Sequence, residues 1–282
     1  MKKFDEQTAE IARFYDKSPI FDGIIDENEY SKSKIKILWI LKEANSTGED
    51  DVWDLREAIG NLKTEFGIKK GWEKTFRKII YVVNGISKGL EWDNIPYASD
   101  EPDIIDELKK IAFINIKKVG GVSVANDNEI QEFYDKSKEL LLNQIETYNP
   151  DVIIFGNTFK YFENDLNLNQ LNKFGTCEAT AKNNRIYISA YHPGARISEK
   201  NYFDDILKAF RAFNKQIETL QTKYIQLEIN ELQNSLINTR NHLENVKNHF
   251  IEFKEYDSAA VSKDMLDDIE NAITKFEENF KN

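Results

Sequence analysis

The chain has 282 residues, of which 31% are charged and 12% aromatic, and its formal net charge is −11. This composition supplies ample material for a hydrophobic core. The acidic balance argues against a protein that coats nucleic acid through a basic surface, although it leaves room for a local basic groove. No apolar run approaches the roughly 20 residues needed to span a bilayer, so no membrane partner is expected.

The first residues of the sequence and its cysteine content both indicate where the protein is located. The first residues turn acidic at once and lack the apolar stretch of a signal peptide. Cys177 is the only cysteine, which excludes an intrachain disulfide, a cysteine-rich zinc site and an iron–sulfur cluster held by several thiolates. We therefore predict a cytoplasmic protein with no metal and no cofactor.

Four short apolar runs before residue 195 are rich in β-branched and aromatic residues, at 35–41, 111–116, 151–156 and 185–190. Such runs, bounded by turn residues, predict strands buried on both faces of a sheet. Helical patterns lie at 72–86, at 128–148 and from Tyr202 onward, and Asn149-Pro150 should end the second helix. This alternation predicts an α/β domain over residues 1–214: a three-layer αβα sandwich with a mostly parallel four-stranded sheet.

The composition changes after about Lys215, where glycine and proline disappear and apolar residues recur at helical spacing. We predict that residues 215–282 form a coiled-coil-like helical hairpin that turns near Tyr256-Asp257-Ser258. An ordinary helix packed on the α/β domain is the alternative. The apolar stripe exceeds what two solvated helices need to cover, so a second copy or another protein is the expected partner.

Polar side chains follow three of the predicted strands, where ligands of parallel sheets bind. Glu43 comes after the first strand and is either a general base or a cap or surface acid. Asn115 lies in the second strand and either reads a base edge or is satisfied by backbone. Lys117 and Lys118, before paired glycines, are candidates for phosphate contacts. His192 follows the fourth strand, as a hydrogen-bond donor or a packed histidine.

The order of these residues resembles the uracil-DNA glycosylase superfamily over roughly residues 20–214. Residues 37–45 are similar to the strand and Gly-Glu-Ala-Pro-Gly loop of its thermophilic-type branch, with Glu43 at the acid. Residues 114–117 are similar to the second motif, and His192-Pro193 matches the start of the His-Pro-Ser-Pro motif.

The sequence also departs from that pattern. Lys42, Asn45 and Ser46 replace the first Gly, the Pro and the last Gly of the loop, and Gly194-Ala195 replaces Ser-Pro. The cluster cysteines of the thermophilic branch are absent, which excludes membership in that branch.

The resemblance implies hydrolysis of the N-glycosidic bond of a flipped, damaged or modified base in DNA. Glu43 would activate water, His192 would donate to the departing base, and Asn115 with Lys42 and Asn45 would bind the base. Lys42 could also lower the pKa of Glu43 by ion pairing, or bind phosphate. Aromatic residues expected to stack on the base are Trp53, Phe66 and Trp72. Phosphate contacts are assigned to Lys117, Lys118 and Arg196, with Lys69, Lys70, Lys74, Arg77 and Lys78 as further candidates.

Two other functions fit the same residues. One is a non-catalytic nucleic-acid or nucleotide binding module whose helical hairpin recruits a partner. The other is a hydrolase of free nucleotides or nucleosides, which the acidic surface would suit. The sequence leaves the base, and DNA against RNA, open.

Overall fold

The computed structural model describes residues 2–45, 52–122 and 125–252, together with 263–265, 267, 268, 271 and 274. The chain divides into two compact units, Met1–Lys215 and Gln216–Asn282. In chain order the helices are α1 (Lys2–Phe14), α2 (Glu27–Lys32), α3 (Leu55–Gly60), α4 (Glu73–Lys88), α5 (Asp127–Tyr148), α6 (Phe159–Phe162) and α7 (Glu199–Glu252), with 3₁₀ turns at Trp92–Asn94 and Pro102–Lys110. The strands are β1 (Ile20–Phe21), β2 (Gly23–Ile24), β3 (Ile37–Leu41), β4 (Trp53–Asp54), β5 (Lys63–Thr64), β6 (Gly67–Ile68), β7 (Ile111–Asn115), β8 (Val152–Gly156), β9 (Asn172–Phe174), β10 (Cys177–Lys182) and β11 (Arg185–Ala190).

The first unit is a mixed α/β domain around one mostly parallel sheet. Its strand order is β2-β7-β3-β8-β11-β10-β9, and the four predicted strands β7, β3, β8 and β11 form its parallel centre. Among the described residues, β2, β10 and β9 extend the sheet to seven strands in antiparallel pairing, so the predicted number of four was wrong. The added hairpin turns at Asn183-Asn184, whose φ angles of 52° and 60° suit a two-residue turn.

The register brings the carboxyl ends of the parallel strands to one level. Leu41 at the end of β3 pairs with Asn115 at the end of β7, and Gly156 at the end of β8 pairs with Ala190 at the end of β11. The loops after these strands therefore emerge side by side, and ligands of open parallel sheets bind at this edge.

Both faces of the sheet are covered by apolar side chains, as the near-continuous apolar runs predict. All five residues of β3, β7 and β8 are buried. Leu38 and Ile114 belong to a core cluster with residues of α1 and α5. On the opposite face the ring of Phe113 lies 5.6 Å from that of Phe76 in α4.

Local signals explain where α5 begins and ends. The side chain of Asn126 accepts hydrogen bonds from the backbone N–H groups of Asn128 and Glu129, which caps the first turn. Asn149 takes a left-handed conformation with φ of 44° and donates to the carbonyl of Ile145. The end predicted at Asn149-Pro150 is confirmed.

Helix α7 begins at Glu199, within the residues of the first unit, and ends at Glu252, within those of the second. Residues 263–265, 267, 268, 271 and 274 are also helical, whereas the predicted turn at Tyr256-Asp257-Ser258 lies outside the described residues. His242 and His249 are exposed. Within the parts of the chain that the structure describes, no helix combines the length and the apolarity that crossing a bilayer requires.

Candidate functional site

Glu43 lies just beyond β3, and its carboxylate is almost completely shielded from solvent. Its side chain is 4% exposed, and Oε2 lies 3.0 Å from Nζ of Lys117. Oε1 accepts a hydrogen bond of 3.3 Å from the backbone N–H of Val122. The ion pair keeps a charged carboxylate tolerable in this buried position, since each charge offsets the cost of burying the other.

Lys117 joins the loop after β7 to α5 as well as to Glu43. Its side chain is only 3% exposed, and Nζ also contacts Glu129 Oε1 at 2.7 Å. The ammonium lies 5.2 Å from the centre of the Phe133 ring, within reach of a cation–π interaction. The phosphate contact of Lys117 stays a prediction, and two carboxylates and a ring already surround its charge.

Lys118 is fully buried, and its predicted phosphate contact would require the lysine to leave this position. Nζ lies 2.7 Å from Asp22 Oδ1 and 3.0 Å from Gln144 Oε1, and the side chains of Lys118 and Asp22 are 0% and 1% exposed. Burial lowers the pKa of Lys118, and Asp22 opposes that effect. Asp22 also accepts a hydrogen bond of 2.8 Å from the backbone N–H of Asn115, so this pair holds the end of β7 in place.

The side chain of Asn115 is buried without satisfying its hydrogen-bonding groups. It is 1% exposed, and neither Nδ2 nor Oδ1 has a hydrogen-bond partner among the described residues. Because side chains alternate along a strand, Asn115 lies on the same face as Phe113, toward α4. An unpaired buried amide costs free energy, and a ligand or an ordered water that supplied a donor and an acceptor would remove that cost.

His192 begins a tight turn after β11 and carries a defined tautomer. Its Nδ1 accepts a hydrogen bond of 3.0 Å from the backbone N–H of Gly194, and its carbonyl accepts one of 2.8 Å from Ala195. In a neutral imidazole this leaves the proton on Nε2, which becomes a donor. No hydrogen bond of Nε2 occurs within the described part of the chain.

Burial lowers the pKa of His192, and three nearby cations, Lys42, Lys74 and Lys78, lower it further. Lys78 donates from Nζ to the carbonyl of Ala195 at 2.7 Å. Cε of Lys74 lies 3.7 Å from the position that a Cβ on Gly194 would take. The imidazole is thus neutral near pH 7 and surrounded by positive charge, an arrangement that favours a ligand carrying or developing negative charge.

The partner of Lys42 differs from the one predicted. Its Nζ contacts Asp127 Oδ1 at 2.6 Å, and Asp127 also binds Lys160 at 2.6 Å. The pairing of Lys42 with Glu43 was therefore wrong, and Lys117 occupies that position. Asn45 is exposed beside Gly121, with which it forms an isolated parallel bridge. Ser46 lies outside the described residues.

The remaining candidates are cationic residues and aromatic residues. Arg196 is exposed at the end of the His192 turn, and Lys69, Lys70, Lys74 and Arg77 are exposed as well. Lys78 is buried. Trp53 and Trp72 are half-buried, and the centres of their rings lie 5.7 Å apart. Phe66, between β5 and β6, is 87% exposed. Among the predicted stacking aromatics, only Phe66 presents most of its ring to solvent.

The structure brings Asn115 and His192 toward the α4 side of the carboxyl edge, whereas the Glu43 carboxylate is held beside Lys117, which contacts α5. The contacts of the described residues do not join all three side chains. Sequence analysis missed Asp22 and the roles of Lys117 and Lys118. The one local signal for Asp22 was a carboxylate between the apolar Phe21 and Gly23.

A cavity of about 370 Å³ opens beside Tyr191, between the ends of β8 and β11 and the turn that joins β9 to β10. Within the described residues, no group of three or more His, Cys, Asp or Glu side chains is arranged to hold a metal ion. Cys177 lines the cavity, and burial raises the pKa of its thiol to about 12, so the thiol is neutral and a poor nucleophile. Residues that line the cavity include Asn157, Lys160, Lys173, Thr176 and Tyr191.

Comparison of the chain with protein-family models, with curated proteins and with solved structures gave no match.

Proposed function

We propose that this protein is a DNA base glycosylase-like hydrolase, related to the uracil-DNA glycosylase superfamily, that cleaves the N-glycosidic bond of a flipped damaged or modified base. The observation that carries the proposal is the unpaired, buried amide of Asn115 at the same sheet edge as a neutral His192 with a free Nε2 proton. The order of the motifs supports it, because Glu43, Asn115 and His192 follow or end β3, β7 and β11, with β8 between.

The chemistry divides among three side chains. Asn115 offers a donor and an acceptor to the edge of the base. His192 donates from Nε2 to the base oxygen on which negative charge accumulates as the bond breaks. Glu43, whose carboxylate must first turn from Lys117 toward the other two side chains, orients or deprotonates the water that adds to the sugar carbon and offsets the positive charge on the sugar. Flipping the base costs a few kcal/mol, which a mispaired or damaged base reduces.

The test is mass-spectrometric detection of free bases released from DNA oligonucleotides carrying uracil, hypoxanthine, xanthine or alkylated bases. We expect the wild-type chain to release at least one of them and Glu43→Gln to release none while retaining fold and DNA binding. Glu129→Gln is the matched control, because Glu129 is the other carboxylate on Lys117 and is 40% exposed. Wild-type activity in Glu43→Gln would remove Glu43 from the mechanism.

A non-catalytic nucleic-acid or nucleotide binding module is the second candidate. The near-complete burial of the Glu43 carboxylate favours it, because a shielded carboxylate needs a rearrangement before it can meet water. Binding without base release from any of the oligonucleotides would select this function. If the protein were a hydrolase of free nucleotides, any affinity for DNA would lack the steep salt dependence that phosphate contacts produce.

We also propose that the first unit is a three-layer αβα sandwich, supported by α1 and α5 on one face of the sheet and by Phe76 of α4 on the other. For residues 215–282 we propose a helical hairpin that associates with a second copy or another protein. Leu227, Leu232 and Ile237 support it, being 54%, 54% and 46% exposed. The lone, buried Cys177 supports a cytoplasmic location.

Light scattering tests the association. We expect truncation after Asn214 to leave a folded α/β domain of smaller assembly size than the full chain. If both chains are monomers and the truncated one is unstable, the segment is part of the domain core and the association is refuted.

A further inference from the structure

The cavity beside Tyr191 has an aromatic wall with an anchored backbone. Tyr191 is 55% exposed, yet its carbonyl accepts a hydrogen bond of 2.9 Å from the hydroxyl of Tyr202, a fully buried residue. The backbone under the ring is therefore anchored while the ring remains open to a ligand. An exposed aromatic ring on a fixed backbone is a stacking surface for any nucleobase, because every base has a π-face.

The turn that joins β9 to β10 also lines the cavity, and its backbone is held by Asp205. The backbone N–H of Thr176 donates to Asp205 Oδ2 at 2.8 Å. Gly175 has a φ of 59°, and Asp205 occupies the space that a Cβ on it would need. A larger residue at 175 would displace Asp205, so glycine at this position preserves the contact between the turn and Asp205.

Two lysines supply positive charge to the cavity. Lys173 is exposed on β9, and Lys160 lines the same space from α6. Lys160 pairs with Asp127, but the two side chains are 52% and 53% exposed. A surface pair of this kind is weak, so the ammonium of Lys160 can turn to a phosphate at little cost. Glu178 is the one acidic side chain that lines the cavity among the described residues.

The cavity also has a volume suited to a small ligand, and the thiol in its wall is unreactive. Its volume of about 370 Å³ falls in the range of small-ligand sites. The raised pKa of Cys177, the one thiol in its wall, leaves the sulfur protonated at neutral pH. These properties suit reversible binding rather than covalent chemistry.

We propose that this cavity is a subsite for a nucleotide of single-stranded nucleic acid flanking the target base, with its base stacked on Tyr191 and its phosphate bound by Lys173 and Lys160. The inference rests on the proposed function. Tyr191 directly precedes His192 in the chain, so the subsite borders the strand end that carries this histidine, although neither His192 nor Asn115 lines the cavity. It adds a strand requirement: the substrate extends past the reacting nucleotide, and a free nucleoside would leave the subsite empty.

Fluorescence anisotropy with a 5′-labelled twelve-residue thymidine oligonucleotide tests the subsite without requiring catalysis. We expect Tyr191→Ala to raise Kd about tenfold, and Tyr191→Phe, which keeps the ring, to bind like the wild type. Lys173→Gln should lower the slope of log K against log salt by about one unit. Tyr97→Ala is the matched control, because Tyr97 is 53% exposed and lies outside the cavity lining.

Three results would overturn the subsite: no affinity of the wild type for the oligonucleotide, unchanged affinity in Tyr191→Ala, or thymidine monophosphate binding as tightly as the oligonucleotide. Base release from a matching oligonucleotide with a damaged base is measured separately. Wild-type binding without release contradicts the proposed hydrolysis, and the Tyr191 comparison still decides the subsite. Release together with unchanged binding in Tyr191→Ala refutes the subsite alone.

Discussion

The carboxylate of Glu43 lies directly against Gly121, in the space that a Cβ atom on residue 121 would occupy. The backbone N–H of Gly121 also donates to the carbonyl of Ala44 at 2.9 Å, which ties the loop after β7 to the loop after β3. Glycine at 121 therefore allows the two loops to meet with a side-chain carboxylate between them.

If Glu43 acts as proposed, Gly121→Ala should displace its carboxylate and lower base release at least tenfold, because a misplaced catalytic group loses much of its effect. The measurement is the rate of release under single-turnover conditions. Gly60→Ala is the control: Gly60 lies in α3, and the nearest atom to its added Cβ is Ile25 Cγ2 at 3.7 Å, an ordinary contact. Equal rates in the two variants would show that the position of Glu43 does not matter.

Lys117 and Lys42 should differ sharply in their contribution to stability. Lys117→Met leaves Glu43 buried without its cation, which we expect to lower the free energy of unfolding by about 3 kcal/mol. Lys42→Met affects Asp127, which is 53% exposed, so a change of about 0–1 kcal/mol is expected. Urea denaturation of the two variants at pH 7.5 measures both. Similar losses in the two variants would contradict the assignment of Lys117 to the buried pair.

The Asp22–Lys118 pair is a structural charge pair and should behave as a coupled unit. Lys118→Met alone leaves Asp22 uncompensated, and we expect a loss of about 3–5 kcal/mol. Asp22→Asn combined with Lys118→Met removes both charges and should recover part of that loss. A double-mutant cycle by urea denaturation gives the coupling. Additive losses from the two single substitutions would show that the two charges do not depend on each other.

His192 should make stability fall as the pH is lowered. Its pKa in the folded protein is lowered, chiefly by burial, below its ordinary value of 6.5. Between those two values the unfolded chain binds a proton that the folded chain does not, so unfolding becomes easier as pH falls through about 6.5. Above that pH the residue is neutral in both states and contributes no pH dependence.

We therefore expect His192→Gln to lose less stability than the wild type between pH 7.5 and 5.5, as measured by urea denaturation at both values. The carboxylates titrate alike in the two proteins, so the difference reports His192. An identical loss in both would show that the imidazole is not held in its neutral form.

The local elements were largely readable from the sequence. Continuous apolar runs such as 151–156 identify strands buried on both faces, because only such strands need apolar side chains at every position. Asn149-Pro150 marked the end of α5 through a steric effect confined to neighbouring residues. The positions of Glu43, Asn115 and His192 at the sheet edge followed from the same runs. Strands β9 and β10 were missed, since β9 has no buried residue and β10 buries only Cys177 and Ala179, so neither contains a continuous apolar run.

The partners of the charged residues were decided by the tertiary structure alone. The sequence suggested that Lys42, Lys117 and Lys118 were free to bind a ligand. In the structure Lys118 pairs with Asp22, which lies 96 positions earlier in the chain. Ion pairs form between groups that the fold brings within a few ångströms, whatever their separation in sequence. Sequence spacing therefore determined which side chains reach the sheet edge, while packing of the loops after β3 and β7 against α5 determined which charges remain free to meet a ligand.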